Sequence, residues 1–121
     1  MEKQLTISLF AVVGTTLCVA SDDGQKVYDR LSEAIKSGGC VTLSFKNISA
    51  LTSAFLNAAI GQLYGSFKEE EIRAALKVED IAQDDLALLS RVIETAKAYF
   101  NNPRRFDQAY KEELGDDGDG E

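Results

Sequence analysis

The segment that most constrains the fold is residues 40–45, Cys-Val-Thr-Leu-Ser-Phe. Val41, Leu43 and Phe45 alternate with smaller or polar residues, and this period of two predicts a β-strand with one buried face. Patterns with the helical spacing of three and four residues stand on both sides of it. A strand between two helices is typical of an α/β domain, because each helix can return the chain to the same edge of a parallel sheet.

The other predicted elements extend this alternation. Strands are predicted over 4–10, 16–19 and 74–79, with a turn near Gly14 between the first two. Helices are predicted over 21–37, 52–64 and about 82–100, with a shorter one over 104–114. Asp22 and Gln25 have the spacing of a capping box at the first helix, and Gly38 and Gly39 end it. Residues 68–71, Lys-Glu-Glu-Glu, are interpreted as a charged connector.

Charge and length define the domain organisation. A chain of 121 residues suits one domain, and its formal net charge of −7 is concentrated at one end. Residues 112–121 contain six acids and no base, which leaves 14 acidic against 13 basic residues in the rest. We therefore predict a folded domain over 1–111 and a disordered acidic tail over 112–121. Neither part has a basic footprint, so nucleic acid is not an expected partner.

Several classes of function are disfavoured by what the sequence lacks. No apolar run reaches the ~18 residues of a membrane span, and no signal peptide is recognisable, so a cytoplasmic protein without membrane contact is expected. There is no histidine and no glycine-rich phosphate motif. Cys18 and Cys40 have neither metal-site nor redox spacing and are expected to be buried thiols. We expect no metal, no cofactor and no enzymatic activity.

One segment carries a resemblance. Residues 41–61 lead from the buried strand through a short loop to Thr52 and Ser53 at a helix start. This arrangement resembles the STAS domain of anti-sigma-factor antagonists, and more closely the STAS-like family of unknown function of bacteria and their phages. That family's pattern of Ser-x-Phe-Leu-Asn and a glycine one turn later is matched by Ser53, Phe55, Leu56, Asn57 and Gly61. The resemblance spans roughly 4–101, and its motifs are short and mostly apolar.

The resemblance implies a fold and a role. The fold is a STAS-like α/β domain, with a mostly parallel sheet of about four strands and helices packed mainly on one face. The role is a regulatory protein–protein interaction module whose partners are switch kinases, anti-sigma factors or sensor proteins. Ser53 is then the candidate phosphosite, because the matching serine of antagonist STAS domains is phosphorylated by a partner kinase. The expected partner-binding surface comprises Lys46, Asn47, Ser49, Thr52, Ser53, Asn57 and Gly61.

Other interpretations remain open at the level of sequence. Antagonist STAS domains have aspartate where this chain has Thr52, and Ser-Gly where it has Ala54 and Phe55, so Thr52 or Ser53 could serve only as a helix N-cap. The small residues Ser53, Asn57, Gly61 and Gly65 recur every four positions, which fits either a partner helix or packing within the domain.

Three alternatives concern function and assembly. The chain could be an inhibitor or accessory protein in phage–host conflict that binds one effector tightly. It could be an enzyme, such as a hydrolase that uses Ser53. A homodimer through an unpaired sheet edge is also compatible with the pattern.

Overall fold

The computed structural model describes residues 4–101, and every structural statement below refers to this part of the chain. Strands and helices follow one another along it. The strands are β1 (Gln4–Ser8), β2 (Leu17–Cys18), β3 (Cys40–Ser44), β4 (Ala50–Leu51) and β5 (Leu76–Glu79). The helices are α1 (Leu9–Val13), α2 (Ser21–Lys36), α3 (Ser53–Leu56), a π-helical turn (Asn57–Gly61), α4 (Leu63–Ser66), α5 (Glu69–Ala75) and α6 (Gln83–Asn101).

Every strand pairing is parallel, as the order of elements predicts. Three strands form one sheet in the order β1-β3-β5, and β2 pairs with β4 in a second, two-stranded sheet. The described strands therefore number five in two sheets, against about four predicted in one. The additional strand is β4, whose two residues are too few to show a pattern of alternation, and its pairing with β2 forms the second sheet.

The three-stranded sheet has one apolar and one polar face. Ile7, Leu43 and Val78 are neighbours in register on the first face, where the helices cover them. Thr6, Thr42 and Lys77 are neighbours on the opposite face. This division confirms the predicted α/β fold with helices mainly on one face. The buried side chains of the core include Val27, Leu31, Ile35, Val41, Phe45, Phe55, Leu56, Ile60, Leu63, Leu89 and Val92.

Two segments differ from the sequence prediction because they are helical. The strand predicted over 4–10 ends at Ser8, whose side chain accepts a hydrogen bond from the Ala11 amide (3.1 Å) and so caps α1. Gly14, with a φ of 87°, ends that helix where a turn was predicted. The charged connector predicted over 68–71 is instead the N-cap and the first turn of α5. The amide of the N-cap residue, Lys68, donates to Glu71 Oε1 (2.9 Å).

The predicted capping box at α2 is wrong, although the helix itself is confirmed. Its N-cap is Ala20, which has no side chain able to cap. The Gln25 amide nitrogen donates to Asp29 (3.1 Å), while its oxygen accepts from Gln62 (2.9 Å). Gln25 therefore links α2 to the residue after the π-helical turn instead of closing a box with Asp22. Gly38, with a φ of 80°, lies just beyond the helix end, as predicted.

The last described helix, α6, is confirmed. Leu89, Val92 and Ala96 are buried, whereas Leu86 and Phe100 are exposed. The predicted short helix over 104–114 and the acidic tail over 112–121 lie outside the described residues.

Candidate partner-binding site

Thr52 fixes the start of the helix that carries the candidate phosphosite. Its hydroxyl accepts a hydrogen bond from the Phe55 amide (3.2 Å), which is the geometry of an N-cap. The same hydroxyl donates to the Val19 carbonyl (2.8 Å), just beyond β2. One side chain thus caps α3 and ties it to the neighbouring two-stranded sheet. These two hydrogen bonds give Thr52 a structural role, so no binding partner is needed to explain a threonine at this position.

Ser53 is the first residue of α3, and its environment differs from that of Thr52. It is exposed, and its hydroxyl has no hydrogen-bond partner among residues 4–101. The two residues that the sequence left as rival N-caps are therefore distinguished by the structure. Thr52 is the cap, and the Ser53 hydroxyl is available at the surface.

The loop before β4 presents three further predicted residues. Lys46, Asn47 and Ser49 are all exposed. Asn47 adopts a φ of 68°, a left-handed conformation that asparagine tolerates better than most residues, and this turns the chain after β3. The loop is anchored at Ser49, whose amide donates to the Thr16 carbonyl (2.8 Å) and whose hydroxyl donates to Thr16 Oγ1 (2.9 Å).

The helix beyond Ser53 contains a π-helical turn, Asn57–Gly61, in which the Gln62 amide reaches the Asn57 carbonyl (3.0 Å). Such turns insert an extra residue into a helix and are frequent at functional sites. Asn57 is exposed, as expected of a partner-binding residue. Because the π-helical turn changes the period, the four-residue spacing predicted from the sequence does not form one continuous exposed stripe.

Gly61 is the exception among the predicted surface residues, and its assignment to an exposed face is corrected here. It is buried, and a Cβ placed on it would lie 3.7 Å from both Val92 Cγ1 and Ala96 Cβ of α6. At Gly65, a Cβ would lie 2.6 Å from the Phe100 ring. Helix α6 of the same chain therefore occupies the space beside both glycines, and no partner helix is needed to explain them.

The sequence analysis missed an apolar contribution next to this loop. Leu17 is 48 % exposed and Val19 is 41 % exposed, whereas Cys18 between them is fully buried. Both lie on the strand segment that Thr16 and Thr52 join to the loop and to α3. The sequence predicted a strand over 16–19 but did not indicate which of its side chains would be exposed.

Cys18 and Glu69 are among the described titratable groups whose pKa values are shifted by their surroundings. Burial, followed by the charge of Asp23, raises the pKa of the Cys18 thiol from 9.0 to about 11, which keeps it protonated. The hydrogen bond from Lys97 (2.9 Å) lowers the pKa of the Glu69 carboxyl, and this pair joins α5 to α6. Within residues 4–101 no three His, Cys, Asp or Glu residues are grouped so that they could hold a metal ion.

The comparison with protein families gives one match. The model of the STAS-like domain of unknown function (DUF4325) matches residues 23–86, more than half of the chain, and the chain belongs to this family. The matched span contains the loop from Lys46 to Ser49, Thr52, Ser53 and Asn57. No curated protein and no solved structure matches the chain. None of the helices in residues 4–101 combines the length and the hydrophobicity that a bilayer crossing requires.

Proposed function

We propose that this STAS-like domain is a regulatory protein–protein interaction module that acts without catalysis. Its contact surface consists of Lys46, Asn47, Ser49, Thr52, Ser53 and Asn57, with Leu17 and Val19 as apolar contacts. All but the half-buried Thr52 are exposed. Membership in the STAS-like family supports a regulatory role. By resemblance to antagonist STAS domains, the partner is a switch kinase, an anti-sigma factor or a sensor protein.

The observation that supports a phosphorylation switch at this surface is that the Thr52 hydroxyl caps the helix whereas the Ser53 hydroxyl is exposed. Because Thr52 caps the helix, modification of Ser53 breaks no hydrogen bond among residues 4–101. A phosphate on Ser53 would add a charge of about −1.5 to −2. On an exposed residue beside apolar contacts, that charge alters the affinity for a partner and leaves the domain folded.

The hydrogen bonds that anchor this surface support its use in recognising a partner, in addition to its modification at Ser53. Hydrogen bonds from Ser49 and Thr52 to the Thr16–Val19 segment fix the loop, the helix start and the exposed Leu17 and Val19 relative to one another. A surface that is already ordered loses less conformational entropy on binding than a mobile one. Exposed apolar side chains next to polar groups are the composition expected of a protein-binding patch.

The proposal is tested by affinity capture from the native host with the full chain. Wild type is compared with Ser53→Asp and Asn57→Arg, and with Ser90→Asp as the control, since Ser90 is also exposed but lies on α6. We expect wild type and Ser90→Asp to capture the same partner, and Ser53→Asp and Asn57→Arg to release it. Equal capture by all four forms would exclude this surface.

The same experiment, extended with Leu17→Arg, distinguishes the alternative function, an inhibitor in phage–host conflict. The exposed Leu17 and Val19 favour tight binding of one effector. If that function is correct, capture survives Ser53→Asp but is lost in Leu17→Arg. Failure of every form to retain any protein would contradict both functions and direct attention to small ligands.

A further inference from the structure

Of the two outer edges of the three-stranded sheet, one has charged side chains and the other has none. β5, at one edge, carries Lys77 and Glu79, both exposed. Charged side chains of this kind protect an edge strand from pairing with another chain. β1, at the other edge, reads Gln-Leu-Thr-Ile-Ser and has no charge, no proline and no bulge that would protect it. Among the described residues, β1 pairs with β3 alone.

A groove of about 720 Å³ runs along the unpaired edge of β1. Its floor is formed by β1, and its wall by one face of α2 that includes Arg30, Glu33 and Ala34. Leu5 lies in this groove and is 50 % exposed, although its register neighbour Val41 is buried. The apolar face of the sheet is therefore incomplete at β1, and a further strand beside it would extend that face.

The wall of the groove carries one charge of each sign. Arg30 and Glu33 are exposed, and neither has an ion-pair partner within residues 4–101. In a two-fold symmetric contact, the same patch meets itself, so residues at different positions face each other reciprocally. Two copies meeting along β1 would bring Arg30 of each toward Glu33 of the other.

We propose that the β1 edge binds the β1 edge of a second copy of this chain, which joins two three-stranded sheets into one of six strands. Two-fold symmetry makes the pairing antiparallel. Centred on Thr6, it places Leu5 opposite Ile7 of the second copy and Thr6 opposite Thr6. Apolar and threonine pairs of this kind stabilise antiparallel strands. This surface shares no residue with the loop and helix start of the proposed regulatory surface.

The test is sedimentation of the full chain from micromolar to millimolar concentration, combined with hydrogen exchange of the β1 amides. We expect a concentration-dependent dimer in which the outward-facing amides of β1 become protected as the dimer forms. Thr6→Lys places like charges against each other at the symmetry axis. It should weaken the dimer by more than about tenfold, while Thr95→Lys, on the exposed surface of α6, should not.

Exchanging the charges of Arg30 and Glu33 tests whether the β1 edge binds a second copy of this chain. Arg30→Glu alone should weaken the dimer, and Arg30→Glu combined with Glu33→Arg should restore it, because the reciprocal pairs reform with opposite sign. A chain that stays monomeric throughout, or a dimer indifferent to Thr6→Lys with circular dichroism unchanged, would overturn the proposal. A monomer whose β1 amides are protected only when another protein is added would also overturn it, in favour of a foreign strand.

Discussion

Gly24 of α2 packs directly against the backbone of Phe55 in α3. A Cβ on Gly24 would lie 2.5 Å from the Phe55 carbonyl oxygen and 2.8 Å from the Ala58 Cβ. Val27 of α2 and Ala59, which follows α3, are both buried in the core. The close approach positions the helix whose first residue is Ser53, so the geometry of the candidate site depends on a glycine outside it.

Replacing Gly24 with alanine should therefore destabilise the domain. Helix propensity alone predicts a gain of about 1 kcal/mol from this change. The clash with backbone atoms, which cannot move aside as a flexible side chain can, costs more, and we expect a net loss of about 1–3 kcal/mol in the free energy of unfolding.

Urea denaturation followed by circular dichroism measures this loss. Ser21→Ala serves as the control, since Ser21 is exposed in the same helix and should change the free energy by less than about 0.5 kcal/mol. A Gly24→Ala protein more stable than wild type would show that the helices do not approach this closely.

Removal of the side-chain hydroxyl should lower stability at Thr52 but leave it almost unchanged at Ser53. Thr52→Ala removes the cap on the Phe55 amide and the bond to the Val19 carbonyl, and should cost about 1–2 kcal/mol of stability. Thr52→Ser keeps both bonds and should cost less. Ser53→Ala removes no hydrogen bond among the described residues and should stay within about 0.5 kcal/mol of wild type. Thermal or urea unfolding of the three variants measures these changes. A large loss of stability in Ser53→Ala would contradict the assignment of Thr52 as the cap.

Cys18 should make stability depend on pH in the alkaline range. Its folded-state pKa, about 11, lies above the ordinary value of 9.0, so the folded chain holds the thiol proton more tightly than the unfolded chain. This contribution to stability is fully present below pH 9 and is lost as pH rises toward about 11. The difference in unfolding free energy between wild type and Cys18→Ala should therefore shrink over that interval.

Cys40→Ala provides the comparison for this pH series, because it leaves the buried Cys18 in place. An unchanging difference between wild type and Cys18→Ala across the interval would contradict the raised pKa. Alkylation tests the burial of Cys18 independently, since the fully buried thiol should react with iodoacetamide only after the protein unfolds.

The sequence predicted the elements whose patterns are long. β3 alternates over its whole length, and α2 repeats its apolar residues over 16 positions, so both could be recognised without a structure. The continuous apolar run Leu9–Val13 fits either a strand or a helix, and the cap at Ser8 decides for a helix. α5 is short, and its dense charge conceals that Ile72 is buried in the core.

The candidate site was predictable in position but not in detail. The resemblance directed attention to Ser53, and the adjacent Thr52 and Ser53 at the helix start left open which of the two was the N-cap. Only the folded chain shows that Thr52 takes the cap and that Gly61 lies beneath α6. Both facts depend on contacts between segments distant in sequence, which a local pattern does not contain.

The most direct test of the regulatory surface is the affinity of the captured partner for the full chain, measured by isothermal titration calorimetry. Wild type is compared with protein phosphorylated at Ser53, with Ser53→Asp and with Ser90→Asp. We expect phosphorylation and Ser53→Asp to change the dissociation constant by at least about tenfold, equivalent to about 1.4 kcal/mol, and Ser90→Asp to leave it unchanged. Equal affinities for all four forms would contradict a switch at Ser53.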